Sequence, residues 1–416
     1  MLKFTIQATI PGAKGRAGTI ETPHGTIQTP AFIPVGTKAT IKSLTPEQVA
    51  SLGADAILAN TYHLYLQPGT NILKKAGGLG KFMNWKGPTF TDSGGFQAFS
   101  LGPAFGNGST KIGERTDASK TKVNQDETKS DTGEVLNESS VKLAQIDDDG
   151  VTFKSVIDGS THRFTPERSI EIQHDIGADI IFAFDECLSP QESYDKQKAA
   201  VERTHIWAQR CLIKHEELQQ GETSLSSARS RLAAGQALFG IVQGGRHEDL
   251  RRHSAQTIGA LNFDGFDIGG SFDKKDIGTA VGWVCEELPE NKPRHLLGIG
   301  EPEDLILGIE NGIDTFDCVA PTRIARNGAA YTKSGRINLF NTEFQTDFSP
   351  IDAGCECYTC KNYTKAYVAH LFRAKEMLAA TLTSIHNVYF LVHLVKEARK
   401  AIVEGKWEEF KRSYEL

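Results

Sequence analysis

The sequence lacks the features that would place this chain in a membrane or in an oxidising compartment. No run of apolar residues approaches the length that a helix needs to cross a bilayer. The N-terminus has no basic segment followed by a long apolar block and a cleavage site. Four of the seven cysteines, Cys187, Cys211, Cys285 and Cys318, are scattered without the spacing of a disulfide framework, as is usual in a reducing compartment. We therefore expect a cytoplasmic protein.

Aromatic residues are absent from one long interval, between Phe105 and Phe153, where Lys, Asp, Glu, Ser, Thr and Asn dominate. A segment with so little apolar surface contributes little to a core. We interpret residues 102–145 as a polar insertion, either a solvent-exposed β-hairpin or a partly disordered flap. A functional lid and a surface ornament without function fit this composition equally well.

The chain also lacks an excess of positive charge. Its formal net charge of −6 argues, by itself, against a nucleic-acid-binding protein. The charge is unevenly spread, because residues 321–416 contain 14 Lys and Arg against 10 Asp and Glu, a net +4, which leaves −10 for residues 1–320. A local basic patch near the C-terminus is compatible with phosphate binding, although charged helix faces are more often simply solvated.

Three cysteines and one histidine form the most specific pattern in the chain. Cys355, Cys357 and Cys360 follow the spacing C-x-C-x-x-C, and His386 follows after 25 intervening residues on a strongly helical stretch. Three thiolates and an imidazole make a tetrahedral zinc site with no open coordination position, so one Zn²⁺ would fasten the structure without activating water. The alternative is a redox or chance grouping of cysteines.

Short apolar runs alternate with helical segments along the chain. Runs that are typical of buried strands cover residues 55–60, 89–92, 178–185, 237–243, 265–270, 295–299 and 314–319, and helix periodicity covers residues 166–176 and 194–219. Such alternation predicts a parallel sheet covered by helices, and this many units favours an α/β fold of the TIM (β/α)₈ barrel type. An open doubly wound sheet is the second interpretation.

Polar residues and glycines follow most of these predicted strands. The segments are Asp92-Ser93-Gly94-Gly95, Asp185-Glu186-Cys187, Gln243-Gly244-Gly245, Gly269-Gly270, Gly298-Ile299-Gly300 and Asp317-Cys318. In a parallel barrel all these positions meet at one mouth, where the active sites of this fold lie. Aspartate and glycine also end strands simply because they form turns and cap helices. Three aspartates and a glutamine together favour a polar pocket.

The C-terminal part of the chain reads as a separate unit. We expect a catalytic barrel over residues 1–349 and a zinc-binding helical subdomain over residues 350–416, in which the metal pins a loop to a long helix. Apolar residues there recur at helical spacing and predict an ordinary buried face, to which bulky aromatics add: Val388, Tyr389, Phe390, Leu391, Leu394, Val395 and Trp407.

Several motifs, in one order along the chain, resemble the tRNA-guanine transglycosylase family, also called queuine tRNA-ribosyltransferase, in its bacterial type. The motifs are Thr91-Asp92-Ser93-Gly94-Gly95-Phe96-Gln97, Phe184-Asp185-Glu186-Cys187, Gly240-Ile241-Val242-Gln243-Gly244-Gly245, Phe316-Asp317-Cys318-Val319-Ala320-Pro321-Thr322-Arg323 with Arg326-Asn327-Gly328, and the Cys₃His cluster. The resemblance covers nearly the whole chain apart from the insertion. It implies an irregular TIM barrel that carries a zinc-binding insertion.

The resemblance also implies a reaction and the residues that perform it. Guanine at the wobble position of tRNAs with GUN anticodons, those for Asp, Asn, His and Tyr, would be exchanged for a 7-deazaguanine. Asp317 would be the nucleophile that forms a covalent intermediate with the ribose, and Asp92 would be the general acid and base. The residues implied around the base are Phe96, Asp185, Cys187, Gln243, Gly270 and Leu297, and those implied at the tRNA are Arg323 and Arg326.

One segment departs from the family pattern. After Gly269-Gly270, bacterial members continue with a small apolar segment that ends in glutamate, whereas this chain has Ser271-Phe272-Asp273-Lys274-Lys275. Asp273 would replace the missing carboxylate and favour 7-aminomethyl-7-deazaguanine, or the altered loop would admit queuine. We place the aminomethyl base slightly ahead, because Cys187 is similar to the corresponding pocket residue.

Other functions remain open on the sequence alone. They are a non-catalytic partner subunit of a heterodimeric transglycosylase, a zinc-lobe RNA-binding scaffold, and an archaeosine-type or DNA-modifying relative. The presence of both Asp92 and Asp317 disfavours the first. The resemblance further implies a homodimer.

Overall fold

The computed structural model describes residues 2–100, 144–223, 235–270 and 277–414. Most of the predicted insertion, residues 102–143, lies outside these ranges. The segment 271–275, on which the interpretation of Asp273 depends, also lies outside them. Both interpretations therefore stay predictions.

A three-stranded antiparallel sheet opens the chain. Its strands are β1 (Lys3–Thr9), β2 (Arg16–Thr22) and β3 (Gly25–Thr29), paired in that order. Ile20 and Ile27 of this sheet are fully buried and belong to the same apolar cluster as the interior of the main barrel. The small sheet therefore covers one end of the barrel.

Eight parallel strands form the main sheet. They are β4 (Ala31–Pro34), β5 (Ile57–Ala59), β6 (Thr89–Thr91), β10 (Ile180–Phe182), β11 (Ala237–Val242), β12 (Gly265–Ile268), β13 (Arg294–Leu296) and β14 (Thr315–Cys318). Their order is β4-β14-β13-β12-β11-β10-β6-β5, and a parallel bridge between Val35 and Leu58 joins the two end strands. The predicted barrel is confirmed, and the open doubly wound sheet is excluded. The sequence interpretation found seven of these strands and missed β4.

The barrel interior follows from the two-residue period of a strand. Alternate side chains of neighbouring strands point inward and form one apolar cluster. Its barrel members are Ala31, Ile33, Val35, Ala56, Leu58, Phe90, Ile180, Phe182, Ala237, Phe239 and Ile241. The opposite faces of the same strands pack against the helices in a second, larger cluster. Because both faces of these strands are buried, their sequences are continuous apolar runs.

Helices surround the barrel and connect its strands. In the first two thirds of the chain they span Pro46–Ser51, Thr61–Leu66, Thr70–Ala76, Leu79–Met83, Gly95–Ser100, Pro166–Ile176, Tyr194–Thr223, Glu248–Gly259 and Ile277–Glu287. Pro302–Glu310 and Ala320–Arg326 complete this set. The predicted helix 166–176 is confirmed, with Thr165 accepting a hydrogen bond from the Arg168 backbone at its start.

A small antiparallel sheet follows the undescribed insertion. It consists of β7 (Ala144–Asp147), β8 (Gly150–Lys154) and β9 (Thr161–Phe164). Ala144 pairs with Phe153 and is buried. The last residues of the predicted insertion, Ala144 and Gln145, therefore belong to a sheet that packs on the barrel core.

The C-terminal lobe combines a hairpin with several helices. The hairpin strands are β15 (Ala329–Thr332) and β16 (Gly335–Asn338), and the helices are the 3₁₀ turn Thr342–Thr346 followed by Tyr358–Asn362, Lys365–Arg373, Met377–Glu404 and Trp407–Ser413. The segment between the cysteines and His386 is not one helix, because Thr364 caps a new helix and Lys375 adopts a φ of 57°. The lobe's apolar cluster includes Ala330 and Leu339, which precede the predicted domain boundary at 350. That boundary stays a prediction.

The longest helix of the lobe, Met377–Glu404, is part of the protein core. Of the described residues, this helix alone is long and apolar enough to cross a bilayer, but 72% of its most apolar window is buried inside the protein. The predicted core positions Val388, Leu391, Leu394 and Val395 are all buried. A core helix of this kind passes a length test without crossing a membrane, so the helix gives no support for a membrane span.

Candidate active site

Asp317 lies at the carboxyl end of β14 and is 6% exposed. One of its carboxylate oxygens accepts a hydrogen bond from the backbone N–H of Gly298 at 2.8 Å and lies 3.1 Å from Nε2 of His295. The other imidazole nitrogen, Nδ1, lies 2.8 Å from the Thr315 hydroxyl. The carboxylate is therefore held in one orientation by two groups that act on the same oxygen. Sequence reasoning missed His295, although a fully buried histidine within a barrel strand is a usable signal.

Asp92 directly follows β6 and is also 6% exposed. Its carboxylate accepts hydrogen bonds from the Asn60 side chain at 2.6 Å, the Thr61 backbone at 2.7 Å and the Gln97 side chain at 2.9 Å. Asn60 and Thr61 follow the neighbouring strand β5. An ionised carboxylate only accepts hydrogen bonds, so these three donors match its charged form.

Aromatic rings packed inside the barrel connect the surroundings of Asp92 with those of Asp317. The His295 ring stacks on Phe90 at a centroid distance of 5.7 Å and lies 5.2 Å from the Phe182 ring. Phe90 precedes Asp92 by two residues, so the two side chains point to the same face of the strand. The strand ends that carry Asp92 and Asp317 thus open at one mouth of one barrel. This arrangement agrees with the expected paired site, and the roles of the two residues stay predictions.

A second polar group lies at the ends of β6, β10 and β11. The Asp185 carboxylate accepts a hydrogen bond from the Ser93 hydroxyl at 3.0 Å and another from the Gln243 side chain at 2.6 Å. All three side chains are buried. The structure therefore brings the predicted base-binding residues Asp185 and Gln243 into direct contact, and adds Ser93.

Gly270 completes this group at the end of β12. It has a φ of 102°, and a Cβ atom there would lie 2.9 Å from Oε1 of Gln243 and 2.7 Å from Nη2 of Arg251. A larger residue would therefore be strained and would collide with the pocket. The backbone at this position approaches Gln243 closely, as the prediction for Gly270 requires.

Arg251 is a residue of this region that the sequence analysis missed. It lies on the helix Glu248–Gly259, is completely buried, and donates hydrogen bonds to the carbonyl oxygens of Val242, Gly245 and Gly269. Burial lowers the pKa of its guanidinium to about 10, so the group is charged at neutral pH. Its charge and three bonds fix the backbone on both sides of the Gln243 pocket. No motif in the sequence distinguishes this arginine from its neighbour Arg252.

The remaining predicted base contacts flank the pocket. Phe96 is half-buried on the helix Gly95–Ser100, which starts at the end of β6. Leu297 is half-buried after β13 and packs against the barrel-interior cluster. Cys187 is buried two residues after Asp185. Their contacts with a bound base stay predictions.

A group of cations lies beside the mouth. Arg323 and Arg326 lie on the helix Ala320–Arg326, which directly follows β14. Burial first, and then the charges of Arg326, Lys38 and Arg323, lower the pKa of Lys42 to about 8. Burial together with Lys38 and Lys42 lowers the pKa of His63 to about 4. The predicted arginines and Lys38 are therefore near enough to affect the charge of Lys42, and the sequence analysis did not single out either lysine. We call these four residues the cation group.

The geometry of the Cys₃His cluster fits one tetrahedral metal ion. Nδ1 of His386 lies 3.7 Å, 3.5 Å and 3.3 Å from the sulfurs of Cys355, Cys357 and Cys360. Metal–ligand lengths of zinc with sulfur and nitrogen give a tetrahedral edge of about 3.6 Å. Nε2 of His386 lies 2.7 Å from the Tyr331 carbonyl, so it carries the proton and leaves Nδ1 free to bind the ion. The four predicted ligands are therefore together and can hold a metal ion.

Buried carboxylates and a carboxylate–amide pair at the mouth of a closed parallel barrel define an enzyme of the (β/α)₈-barrel class. A model of the family described as queuine tRNA-ribosyltransferase matches residues 12–130 and 127–415. The chain belongs to that family.

Individual relatives match over almost their whole length. The chain is 45% identical over 402 residues to the queuine tRNA-ribosyltransferase of Thermoanaerobacter pseudethanolicus, covering 96% of this chain and 93% of the relative. It is 45% identical over 419 residues to that of Roseiflexus sp. (strain RS-1), covering 99% of both chains. It is 43% identical over 416 residues to that of Pediococcus pentosaceus, covering 99% and 95%.

Proposed function

We propose that this protein is a tRNA-guanine transglycosylase, a pentosyltransferase that exchanges the wobble guanine of tRNAs with GUN anticodons for a 7-deazaguanine. Membership of the family supports the reaction class. The observation that carries the assignment to particular residues is the pair of buried carboxylates, Asp92 and Asp317, at one barrel mouth.

In the first displacement, an oxygen of Asp317 attacks C1′ of the ribose while the bond from C1′ to N9 of guanine breaks. The electron pair of that bond moves to the purine, which takes up a proton from Asp92. Asp92 must first gain that proton from solvent, because its partners match the ionised form. Gly298 and His295 hold one oxygen of Asp317, so the other oxygen is the better placed to attack. In the second displacement, Asp92 removes the N9 proton of the incoming base, whose nitrogen then attacks C1′ and releases Asp317.

Asp92 changes its protonation state during this cycle. In the structure its carboxylate accepts hydrogen bonds from Asn60, Thr61 and Gln97. A protonated carboxyl group has one O–H to donate and keeps three lone pairs, so Asp92 can retain these donors while its proton faces the purine.

The pocket at Asp185 and Gln243 supports recognition of a guanine-type edge. The Asp185 carboxylate can accept hydrogen bonds from ring and exocyclic N–H groups of a base, and the Gln243 side-chain amide can both donate and accept hydrogen bonds. Because the two side chains are buried and bonded to each other at 2.6 Å, a base that fails to replace this bond leaves polar groups unpaired. That penalty is the physical basis of discrimination. The flipped base would stack on Phe96 and contact Leu297.

The cation group supports binding of the tRNA backbone. Arg323 and Arg326 lie on the helix that follows the strand of Asp317, and their charges, with that of Lys38, act on Lys42. Phosphates that flank an extruded nucleotide would be neutralised by these cations. A net charge of −6 is therefore compatible with RNA binding, because the positive charge is local.

The metal is proposed to be zinc, since three thiolates and one imidazole are the donors that zinc prefers in closed structural sites. We assign one ion to each subunit. The zinc lobe also carries two tyrosines that stack on each other at 5.4 Å, the half-buried Tyr363 and the exposed Tyr367. Exposed, ordered aromatic rings are typical of subunit contacts, and they support the homodimer that the family resemblance implies.

Substitution Asp317→Asn tests the enzyme against the non-catalytic alternatives. If the protein is the proposed enzyme, this variant should lose both guanine exchange and a denaturation-resistant tRNA adduct, because an amide is a poor nucleophile. A binding scaffold or an inactive partner subunit would retain tRNA affinity and would show no exchange in the unmodified protein either.

The incoming base is proposed to be 7-aminomethyl-7-deazaguanine, with queuine as the alternative. The discriminating measurement is the mass of the modified nucleoside after the protein is incubated with a GUN-anticodon tRNA and each base in turn. Incorporation of queuine alone would reject the aminomethyl base. Failure of both bases with tRNA, together with activity on an archaeal tRNA or on DNA, would favour an archaeosine-type or DNA-modifying relative.

A further inference from the structure

Two helices on the outside of the barrel bring three metal-binding side chains together, away from the mouth. Glu202 and His205 lie on the helix Tyr194–Thr223, and His253 lies on the neighbouring helix Glu248–Gly259. Each offers one ligand atom, and these atoms all lie within 4.8 Å of one another. We propose that Glu202, His205 and His253 form a second metal site, for a divalent transition ion such as Zn²⁺ or Ni²⁺, that is distinct from the Cys₃His cluster.

The distances suit a shared ion. Nε2 of His253 lies 3.1 Å from one carboxylate oxygen of Glu202, and Nδ1 of His205 lies 3.9 Å from the other. Ligands of a tetrahedral or octahedral ion at about 2.0–2.2 Å are separated by about 3–3.5 Å, so small side-chain rotations complete the set. Two imidazoles and a carboxylate favour borderline transition ions over Mg²⁺ or Ca²⁺, which take oxygen ligands.

A buried hydroxyl orients the inner histidine. Nε2 of His205 lies 3.2 Å from the hydroxyl oxygen of Ser254, which is fully buried. When Nε2 carries the proton and donates it to this oxygen, the lone pair of Nδ1 points toward Glu202. Metal-binding histidines commonly have such a partner for the second nitrogen. A simple surface ion pair between Glu202 and His253 would not need a second, buried imidazole beside the same carboxylate.

The site is accessible and is connected to the pocket. The side chains of Glu202 and His253 are 52% and 50% exposed, so an ion can enter from solvent and water can complete its coordination. The Ser254 hydroxyl also accepts a hydrogen bond from the Gln243 backbone at 3.2 Å. An ion on His205 would thus lie one hydrogen-bonded side chain behind the base pocket, and it would clamp the two helices that support it.

Calorimetric titration with Ni²⁺ tests the proposal. The untagged full chain is first loaded with one zinc per subunit, and free zinc is removed, so that the Cys₃His cluster is filled. We expect one further equivalent of Ni²⁺ to bind and to raise the thermal midpoint of unfolding. His253→Gln and Glu202→Gln should each weaken this binding at least tenfold, because each removes one of three ligands.

The matched control is His247→Gln. His247 precedes the same helix and contacts the Tyr194 ring, outside the ligand set, so this variant should bind Ni²⁺ as the unmodified chain does. The substituted side chains are half-exposed, and equal midpoints without Ni²⁺ will show that all variants fold. Absence of a further equivalent, wild-type affinity in His253→Gln, or an equal loss in His247→Gln would overturn the proposal.

Discussion

Nε2 of His295 lies 3.1 Å from the carboxylate of Asp317, while the same ring stacks on Phe90 inside the barrel. The side chain that supports the proposed nucleophile is thus itself fixed by the barrel core. A nucleophile held in one geometry avoids the entropic cost of ordering at the moment of attack. The barrel core thus fixes the position of the proposed nucleophile through His295.

Substitution His295→Phe should test whether His295 acts on Asp317 through its Nε2 contact or only through the packing of its ring. Phenylalanine can keep the ring contacts but cannot contact the carboxylate, so we expect kcat for guanine exchange to fall about 10–100-fold, in the range of a lost positioning hydrogen bond in a transition state. The control Thr315→Val removes the partner of Nδ1 and leaves the contact of Nε2 with Asp317. Equal kcat values for His295→Phe and Thr315→Val would contradict a direct role of Nε2.

Substitution Arg251→Lys should loosen the base pocket. A single ammonium cannot reproduce the bonds of a guanidinium to Val242, Gly245 and Gly269. We expect KM for guanine to rise and the free energy of unfolding to fall by about 2–4 kcal/mol, as for the loss of buried charge-assisted hydrogen bonds. Chemical denaturation and steady-state kinetics measure the two effects.

The neighbouring Arg252 provides the control for that experiment. It pairs with Glu248, Glu286 and Glu287 at the protein surface, so Arg252→Lys should leave both the free energy of unfolding and KM nearly unchanged. A similar KM in the two variants would show that Arg251 does not position the pocket.

Binding of tRNA should depend on pH through Lys42. Burial and the neighbouring cations lower its pKa to about 8 from an ordinary value of 10.5, so Lys42 is charged at pH 7 and loses its proton as the pH rises through 8. A phosphate favours the charged form, and tRNA affinity should therefore decline between about pH 7 and 9, with proton uptake on binding above pH 8. Fluorescence anisotropy with labelled tRNA across this range measures the decline.

Lys42→Arg supplies the comparison, because a guanidinium keeps its charge throughout this range. Its tRNA affinity should be nearly independent of pH between 7 and 9. A decline as steep as that of the unmodified protein would assign the dependence to another group.

Removal of the metal should destabilise the C-terminal lobe more than the barrel. The ion would pin residues 355–360 to His386, and the adjacent Asn387 bonds the backbone of Pro321, Ala329 and Tyr331. We expect chelation, or Cys360→Ser, to lower the thermal midpoint and to weaken tRNA binding more than it weakens binding of free guanine. The control Cys285→Ala removes a buried cysteine elsewhere. An unchanged midpoint after chelation would argue against a structural ion.

Much of the architecture could be predicted from the sequence, since buried parallel strands and zinc ligands leave local signals. Strand β4 was missed because Ala31–Pro34 is short and adjoins Pro30, and proline normally argues against a central strand. Gln145 and Asp147 resemble the polar residues before them, although alternate residues of β7 face the core.

Strand-end position marked Asp92, Asp185, Gln243 and Asp317, but other residues that shape the site had a weaker signal or none. His295, Arg251 and Lys42 come from other segments, and their significance lies in what surrounds them. Sequence spacing cannot show that a histidine meets an aspartate 22 positions away or that an arginine is buried completely. Such facts depend on how the barrel closes.

By itself, the sequence determined the strand–helix alternation, the acidic strand ends and the four metal ligands, because each depends on residues that are near in the chain or on a fixed period. Tertiary structure decided which side chains share a surface. Closure of the ring between Val35 and Leu58 brings distant strand ends to one mouth. Burial there gives the carboxylates and the guanidinium of Arg251 their partners, and burial also lowers the pKa of Arg251 and of Lys42. Those properties belong to the low-dielectric interior and to no segment alone.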